Sequence, residues 1–366
     1  MLTRSFQSSH VSQYRRSLTT IKTAIQSKSR FPQINQFKQI YFCHSFNPSA
    51  LINHSPNNPR SFSIMSSSSP STVKIALCQI MCGSDKQENL KTATASISEA
   101  VNRGAEIVVL PEMFNCPYSN DSFQPFSELL PSTFPSSYQS LALESSLSSI
   151  TIAKLAQQHK VYIVAGSIPE YDENNKLYNS CLVINPNGEF IAKHRKVHLF
   201  DIDVPGKMTF KESDTLTAGN KFTVFNSPWG DIGVGICYDL RFPEYAQLLS
   251  QSSENVTMLI YPGAFNTVTG PMHWELLARA RAVDNQLFVA LCSPARNPAS
   301  TYQAYGHSLC VDPFGTILST TEEQSAIVMA EFDLSQVNKF RTMIPTIKQK
   351  RKDLYSLTKV TKDENQ

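Results

Sequence analysis

The chain has 366 residues, 41% of them hydrophobic and 17% charged, which is enough apolar material for one large buried core. Residues 1–73 hold eight of the 33 Lys and Arg residues and no acid, which leaves 25 basic against 30 acidic residues, about −5, in residues 74–366. That negative body gives no reason to expect a nucleic-acid-binding surface. No apolar run reaches the roughly 18 residues of a membrane-spanning helix.

After residue 73 the hydrophobic pattern alternates between the period of two that marks strands and the period of about 3.6 that marks helices. In chain order the predicted elements are a strand over 73–80, a helix over 89–105, a strand over 106–112, a helix over 150–160, a strand over 161–170, a hairpin over 177–196, a second hairpin over 222–240 whose second strand ends at Cys237, a helix over 244–251, a strand over 256–265, a helix over 273–286, a strand over 287–293, a hairpin over 306–321 and a strand over 327–334. Many strands and about four helices predict a layered α/β fold with two sheets between helices.

The domain organisation follows from composition. Residues 73–356 show no internal boundary and no repeat, so they are predicted to form one domain, and 357–366 a C-terminal tail. The basic, proline-broken segment from about 335 onward (IPTIKQKRKDLY) is predicted to be a tail that packs on a neighbouring molecule rather than a core element.

Residues 1–65 are rich in Ser, carry Arg and Lys, and lack acids, a composition typical of an organellar transit peptide. A disordered N-terminal tail is the alternative. The Ser-rich, weakly amphipathic character favours a chloroplast destination over a mitochondrion. An internal start at Met65 would give a cytosolic form.

The eight cysteines are scattered singly, at positions 43, 78, 82, 116, 181, 237, 292 and 310. Without a secretory signal or a C-x-x-C pair, reduced thiols are expected rather than a disulfide framework. Cys and His do not cluster at ligand spacing, so no metal site is expected.

Three chemically useful residues follow predicted strands. Glu112 follows IVVLP, Lys196 closes FIAKHRK, and Cys237 follows DIGVGI. Strand ends at one edge of a sheet are where α/β proteins place reactive side chains. A thiol beside a carboxylate and an ammonium has what amide hydrolysis requires: a nucleophile, a base and an oxyanion donor. Taken singly, a Cys at a strand end is more often structural and such a Lys is most often a solvated charge, while Glu112 could be a carboxylate at the start of a helix.

The stretches VVLPEMF, KHRKVHLFD and GVGICYDLRFPE, in this order and spacing, closely resemble the nitrilase superfamily of carbon–nitrogen hydrolases. The resemblance covers residues 74–356. It implies an α-β-β-α sandwich that dimerises as αββα–αββα. It also implies a catalytic Glu112–Lys196–Cys237 triad and, in FKESDTLTAG, a second glutamate, Glu212, that orients Lys196; a surface acid in a loop is the alternative for Glu212.

The roles implied by this resemblance describe a complete reaction. Glu112 is the general base, Cys237 the nucleophile, and Lys196 the oxyanion donor and proton relay, with the backbone N–H of Tyr238 completing the oxyanion hole. A thioester forms, ammonia leaves, and a water activated by Glu112 hydrolyses the thioester. No metal or organic cofactor is needed.

The loops resemble the ω-amidase branch of the superfamily in the stretches PEMFNCPYS, GKMTFKESDTLTAG, YPGAFNTVTGPMHWELLARARAVDNQ, SPARN and AYGHS. Its members hydrolyse the terminal amide of 2-oxo dicarboxylic acid monoamides such as 2-oxoglutaramate and 2-oxosuccinamate. The carboxylate of such a substrate needs a cation, and Arg241 is the candidate. A structural ion pair of Arg241 with Asp239 or Glu244 is the alternative. By resemblance, Tyr118, Phe265 and Thr269 line the same pocket, whereas His273, Trp274 and Glu275 are expected to pack and cap a helix.

Other functions remain open at this point. The chain could be an N-carbamoyl amine or deaminated-glutathione amidase, whose substrates are longer or cationic. A true nitrilase is disfavoured because I-C-Y-D replaces the C-W-E pattern. A non-catalytic scaffold is disfavoured because all three triad residues are present. The family's dimers imply a homodimer, with FPEYAQLLSQ and the C-terminal tail as contact segments.

Overall fold

The computed structural model describes residues 70–206 and 208–360, so the predicted transit peptide at 1–65 lies outside the described residues. The strands in this part are β1 (Thr72–Gln79), β2 (Ile107–Val109), β3 (Glu128–Leu129), β4 (Ser136–Ser137), β5 (Tyr162–Val164), β6 (Ile168–Tyr171), β7 (Leu177–Ile184), β8 (Glu189–Arg195), β9 (Asp201–Val204), β10 (Met208–Lys211), β11 (Thr223–Ser227), β12 (Gly230–Val234), β13 (Val256–Pro262), β14 (Phe288–Cys292), β15 (Leu309–Val311), β16 (Ile317–Thr320) and β17 (Ala326–Asp333). The helices are α1 (Lys86–Asn102), α2 (Asn120–Phe126), α3 (Leu147–His159), α4 (Pro243–Ser250), α5 (Gly270–Asn285) and α6 (Ser335–Met343).

The strands form two large sheets and one small ribbon. The first sheet has the order β17-β1-β2-β5-β7-β6-β3, with β8 also paired to β7 and β4 to β8. The second sheet runs β11-β12-β13-β14-β15-β16, and β9 with β10 makes a separate two-stranded ribbon. At the centre of each sheet the strands are parallel: β1, β2 and β5 in the first, β12, β13 and β14 in the second.

The layers of the fold can be read from β1. Its residues Ile75 and Leu77 pack in the hydrophobic cluster that contains the second sheet, whereas Ala76 and Cys78 pack in the cluster that contains α1 and α3. Successive side chains of a strand point to opposite faces, so one face of the first sheet meets the second sheet and the other meets helices. Helices α4 and α5 cover the far side of the second sheet. The predicted α-β-β-α sandwich is therefore confirmed.

Three sequence-based expectations differ from the structure. The predicted strand 161–170 is interrupted at Gly166 and forms β5 and β6. The strand expected to end at Cys237 ends at Val234. The prediction that the chain from about 335 lacks a core element is wrong for α6, because Val337 and Phe340 lie one turn apart and are both buried. Over the residues that the structure describes, the helices are too short or too polar to cross a bilayer.

The loop after β5 crosses the loop after β2, which carries Glu112. Gly166, at φ +57°, allows this crossing, since a Cβ there would lie 2.1 Å from the carbonyl oxygen of Pro111. The Ser167 N–H then donates to that same oxygen at 3.2 Å. The two loops are held in register by a contact that only glycine permits.

Gly166→Ala should lower the free energy of unfolding by about 3 kcal/mol, because it adds a backbone clash to the cost of a positive φ. Gly104→Ala is the matched control: its φ is +89°, but its nearest neighbour is a lysine side chain at 3.8 Å. The control should lose only about 1 kcal/mol. Urea unfolding of both variants measures the difference, and equal losses would contradict the close approach.

Candidate active site

Glu112 lies just beyond the end of β2, fully surrounded by protein. Its Oε1 accepts hydrogen bonds from Asn179 Nδ2 at 2.8 Å and from Lys196 Nζ at 3.0 Å. Its Oε2 accepts the backbone N–H of Ala264 at 2.8 Å. Burial raises the pKa of Glu112, and the Lys196 ammonium opposes that rise. Both oxygens are held, so the carboxylate has one orientation.

Lys196 follows the last residue of β8 and is completely buried. Its Nζ lies 3.0 Å from Glu112 Oε1 and 2.8 Å from Glu212 Oε2. Burial by itself would lower the pKa of this ammonium, but the two carboxylates outweigh burial and raise it. Lys196 is therefore a permanently charged donor at neutral pH.

Glu212 is buried at the start of a short 3₁₀ turn, Glu212–Asp214, that follows β10. Besides Lys196, it accepts the Tyr118 hydroxyl at 2.6 Å and the backbone N–H of Phe200 at 2.7 Å. The alternative of a surface acid is wrong. Tyr118, expected in the substrate pocket, has its hydroxyl in this charged cluster, 3.5 Å from Glu112.

Cys237 begins the 3₁₀ turn Cys237–Arg241 and has φ +47°. Its buried thiol is close enough to Glu112 for the two groups to interact. Burial and the Glu112 charge raise the pKa of this thiol well above its usual value, although Lys196 acts in the other direction. Both effects favour a resting thiol that keeps its proton.

The turn that carries Cys237 is held by the buried side chain of Asp239. Its Oδ2 accepts the N–H of Ile236 at 2.9 Å and His194 Nε2 at 3.0 Å. Its Oδ1 accepts the N–H and the Nδ1 of His198, at 2.9 and 2.7 Å. A non-glycine residue at positive φ persists only where its surroundings fix it, and Asp239 supplies that restraint. The two histidines flank Lys196, two residues to either side, which is a signal the sequence contained.

Arg241 ends the same turn without joining Asp239 or Glu244. Among the residues that the structure describes, no carboxylate lies within 4.0 Å of its guanidinium, so the alternative of a structural ion pair is wrong. The guanidinium lies 4.4 Å from the centroid of the Phe265 ring and 3.1 Å from His273 Nδ1. Sequence reasoning assigned His273 to packing and capping and missed this contact.

The remaining predicted pocket residues are arranged around these groups. The ring centroid of Tyr238 lies 5.6 Å from the Arg241 guanidinium. Thr269 donates its hydroxyl to Asn266 at 3.1 Å in the turn that begins α5. Tyr302, which the sequence did not single out, stacks on Tyr118 with ring centroids 4.4 Å apart.

A cavity of about 30 Å³ borders Glu112 and Tyr118 on the side of Tyr302, Asn297 and Ser300. Such a volume admits a single water molecule, and these side chains supply polar partners for it. The site therefore has room for a water molecule next to the Glu112 carboxylate.

The one group of side chains that could hold a cation, within residues 70–206 and 208–360, is His307, Glu322 and Glu323. It lies outside the cluster just described, and His307 Nε2 already pairs with Glu322 at 3.2 Å. The buried site itself consists of one ammonium, two carboxylates and a thiol, all engaged with one another.

Comparison with known proteins gives one consistent family. The carbon-nitrogen hydrolase family model matches residues 74–342. The chain is 49% identical over 290 residues to "Nitrilase homolog 2" of Dictyostelium discoideum, covering 79% of this chain and 84% of that protein. It is 48% identical over 286 residues to "Omega-amidase, chloroplastic" of Arabidopsis thaliana, covering 78% and 74%. The crystal structure of Saccharomyces cerevisiae Nit3, a member of branch 10 of the nitrilase superfamily, superposes with a TM-score of 0.68 at 44% identity, covering 77% and 97%.

The rate of Cys237 alkylation by iodoacetamide should fall as the pH is lowered, and Glu212→Gln should move this fall to lower pH. Alkylation requires the thiol proton to pass to ionised Glu112, and the charge of Glu212 helps to raise the pKa of Glu112. Removing that charge lowers the pKa, so Glu112 stays ionised to lower pH. The measurement is the alkylation rate against pH.

Asp214→Asn, at an exposed position of the same turn, is the control and should leave this fall where it is. If the alkylation rate of Glu212→Gln falls at the same pH as in the wild type, or at a higher pH, the charge coupling between the two glutamates is contradicted.

Proposed function

This chain belongs to the carbon-nitrogen hydrolase family, and on that premise we propose that it is an ω-amidase acting through a Cys237 thioester. Relatives from Arabidopsis, mouse and human are named omega-amidases, at 45–48% identity. The observation that carries the proposal is the position of Arg241. It brings a guanidinium with no carboxylate partner among the described residues to the same short turn as a thiol that interacts with a buried glutamate.

In the first half of the proposed reaction Glu112 takes the thiol proton of Cys237, and the thiolate attacks the amide carbon. Lys196 Nζ and the backbone N–H of Tyr238 stabilise the oxyanion. Protonated Glu112 then donates to the amide nitrogen, the C–N bond breaks, and ammonia leaves. Glu212 keeps Lys196 charged and aimed at the reacting carbonyl.

In the second half a water molecule replaces ammonia. Glu112 removes one of its protons, the oxygen attacks the thioester carbon, and the thiolate leaves and recovers its proton from Glu112. The small cavity beside Glu112 and Tyr302 supports delivery of water from that side. In both halves of the proposed reaction the transferred proton passes through Glu112.

The proposed substrates are 2-oxo dicarboxylic acid monoamides, 2-oxoglutaramate and 2-oxosuccinamate. Their carboxylate gives Arg241 the anion it lacks, with two parallel N–H···O bonds available to a guanidinium. A partly buried positive charge also disfavours the cationic substrates of a carbamoyl amine hydrolase. Tyr118, Phe265 and Thr269 belong to the proposed pocket wall.

The full chain should release ammonia from 2-oxoglutaramate, and Cys237→Ala should reduce this release at least about 1,000-fold, because the nucleophile is lost. Cys310→Ala, at a buried cysteine of β15, is the matched control and should stay within about threefold of the wild type. Ammonia is measured by a coupled assay. Turnover that survives in Cys237→Ala, or none in the wild type, would refute the proposal.

We further propose that the protein is a homodimer joined through the α5 face as αββα–αββα. Helix α5 exposes three large apolar side chains on one face, with exposed fractions of 60% at Met272, 61% at Leu276 and 40% at Val283. Exposed apolar patches commonly mark interfaces. The C-terminal segment adds Leu354 and Tyr355, which are also exposed.

Leu276→Glu should convert the dimer to a monomer, because it introduces a charge at the centre of that face. Sedimentation velocity should give twice 40.9 kDa for the wild type and 40.9 kDa for the variant. Leu143→Glu, at a loop residue that is 57% exposed, is the control and should remain dimeric. A dimeric Leu276→Glu would rule out this interface.

We also propose a plastid location. The acid-free, Ser-rich composition of residues 1–65 supports it, as does the chloroplastic relative from Arabidopsis.

A further inference from the structure

Arg241 carries a partly buried positive charge whose neighbours are mostly aromatic. Its guanidinium lies near the rings of Phe265 and Tyr238, at 4.4 and 5.6 Å from their centroids. The carboxylate nearest in sequence, Asp239, is taken up by two histidines. Aromatic faces attract a cation but leave it free to slide and rotate. Something else must fix its orientation if it is to receive a planar anion.

His273 makes the one side-chain hydrogen bond that Arg241 has among the described residues, 3.1 Å from NH1 to Nδ1. A guanidinium has donors only, so Nδ1 must accept, and the ring proton of His273 is on Nε2. Nδ1 then presents a lone pair, and not a second N–H donor, to Arg241. One of the five N–H donors of Arg241 is used, and four remain for a ligand.

The His273 ring is carried by a well-anchored turn. Its backbone N–H donates to Thr269 at 3.1 Å in the first turn of α5. The next residue, Trp274, is buried and donates its Nε1–H to the His307 carbonyl at 2.8 Å. The Trp274 ring also packs 5.0 Å from Phe265, the ring that faces Arg241. The acceptor and the aromatic face are thus positioned by the same helix turn.

We propose that His273 is a specificity-determining positioning residue, which holds the Arg241 guanidinium in the orientation that receives the substrate's distal carboxylate. This rests on the proposed ω-amidase function. Binding to a fixed guanidinium avoids the entropy cost of ordering a long side chain, which a freely rotating arginine would incur on each binding event. His273 acts on substrate affinity through Arg241 and takes no part in the bond changes at Cys237.

The test compares His273→Leu with His273→Asn in the full chain. His273→Leu removes the acceptor, and KM for 2-oxoglutaramate should rise about tenfold while kcat changes far less. In His273→Asn, Oδ1 lies close to the position of Nδ1, and KM should return to within about threefold of the wild type. His159→Leu, at the end of α3, is the control for replacing a histidine elsewhere.

A double-mutant cycle tests the link to Arg241. In an Arg241→Ala background, His273→Leu should raise KM no further, because there is no guanidinium left to hold. A rise in KM of the same size in both backgrounds, or a fall in kcat as large as the rise in KM, would show that His273 is merely structural and would overturn the proposal.

Binding can also be measured without turnover, as protection of Cys237 from iodoacetamide by the dicarboxylate 2-oxoglutarate. His273→Leu should raise the protecting concentration about tenfold, and His273→Asn should restore it. Protection that depends on His273, with no turnover of 2-oxoglutaramate, would refute the ω-amidase function and leave this inference standing. Turnover of 2-oxoglutaramate with no effect of His273→Leu would leave the ω-amidase function standing and refute this inference. If the chain shows neither turnover nor protection, the ω-amidase function and this inference are both refuted.

Discussion

The structure depends on one buried ionic contact, the Lys196 ammonium held between the carboxylates of Glu112 and Glu212. Moving three charges out of water costs several kcal/mol per ion, and only close pairing with further hydrogen bonds offsets that cost. Asn179, Ala264 and Phe200 provide those further bonds. Each partner must arrive from a different strand or loop, so the cluster forms only when the sandwich is complete.

The two sheets contribute different parts of the chemistry. Glu112 and Lys196 follow strands of the first sheet, whereas Cys237 follows β12 of the second. Asp239 joins them, because its oxygens bind both the Cys237 turn and the two histidines beside Lys196. Cys237 is thereby held in position relative to Lys196 across the interface between the sheets. Arg241 and His273 both belong to the second sheet's side, so the residues proposed to select the substrate are separate from the proposed base Glu112 and from Lys196.

Local patterns were sufficient to predict most of the fold. The period-two run at 73–80 and the Asn-Pro-Asn-Gly turn at 185–188 correspond to β1 and to the β7–β8 hairpin. What escaped prediction depends on contacts distant in sequence or on unusual backbone. Nothing local indicates that Cys237 adopts a positive φ, because its support comes from Asp239. Tyr302 and His273 reach the site from 65 and 36 residues beyond Cys237. Helix α6 was obscured by the basic, proline-containing sequence that follows Val337 and Phe340.

The raised pKa of the Cys237 thiol has a consequence for oxidative chemistry. Peroxides react with thiolates far faster than with thiols, and a buried neutral thiol is protected from the sulfenic and sulfinic acids that inactivate reactive cysteines. In the proposed reaction Glu112 makes the thiolate only transiently, by taking the proton while a carbonyl is being attacked. Burial and the charge of Glu112, which keep the proton on the sulfur, therefore also slow the reaction of Cys237 with hydrogen peroxide between turnovers.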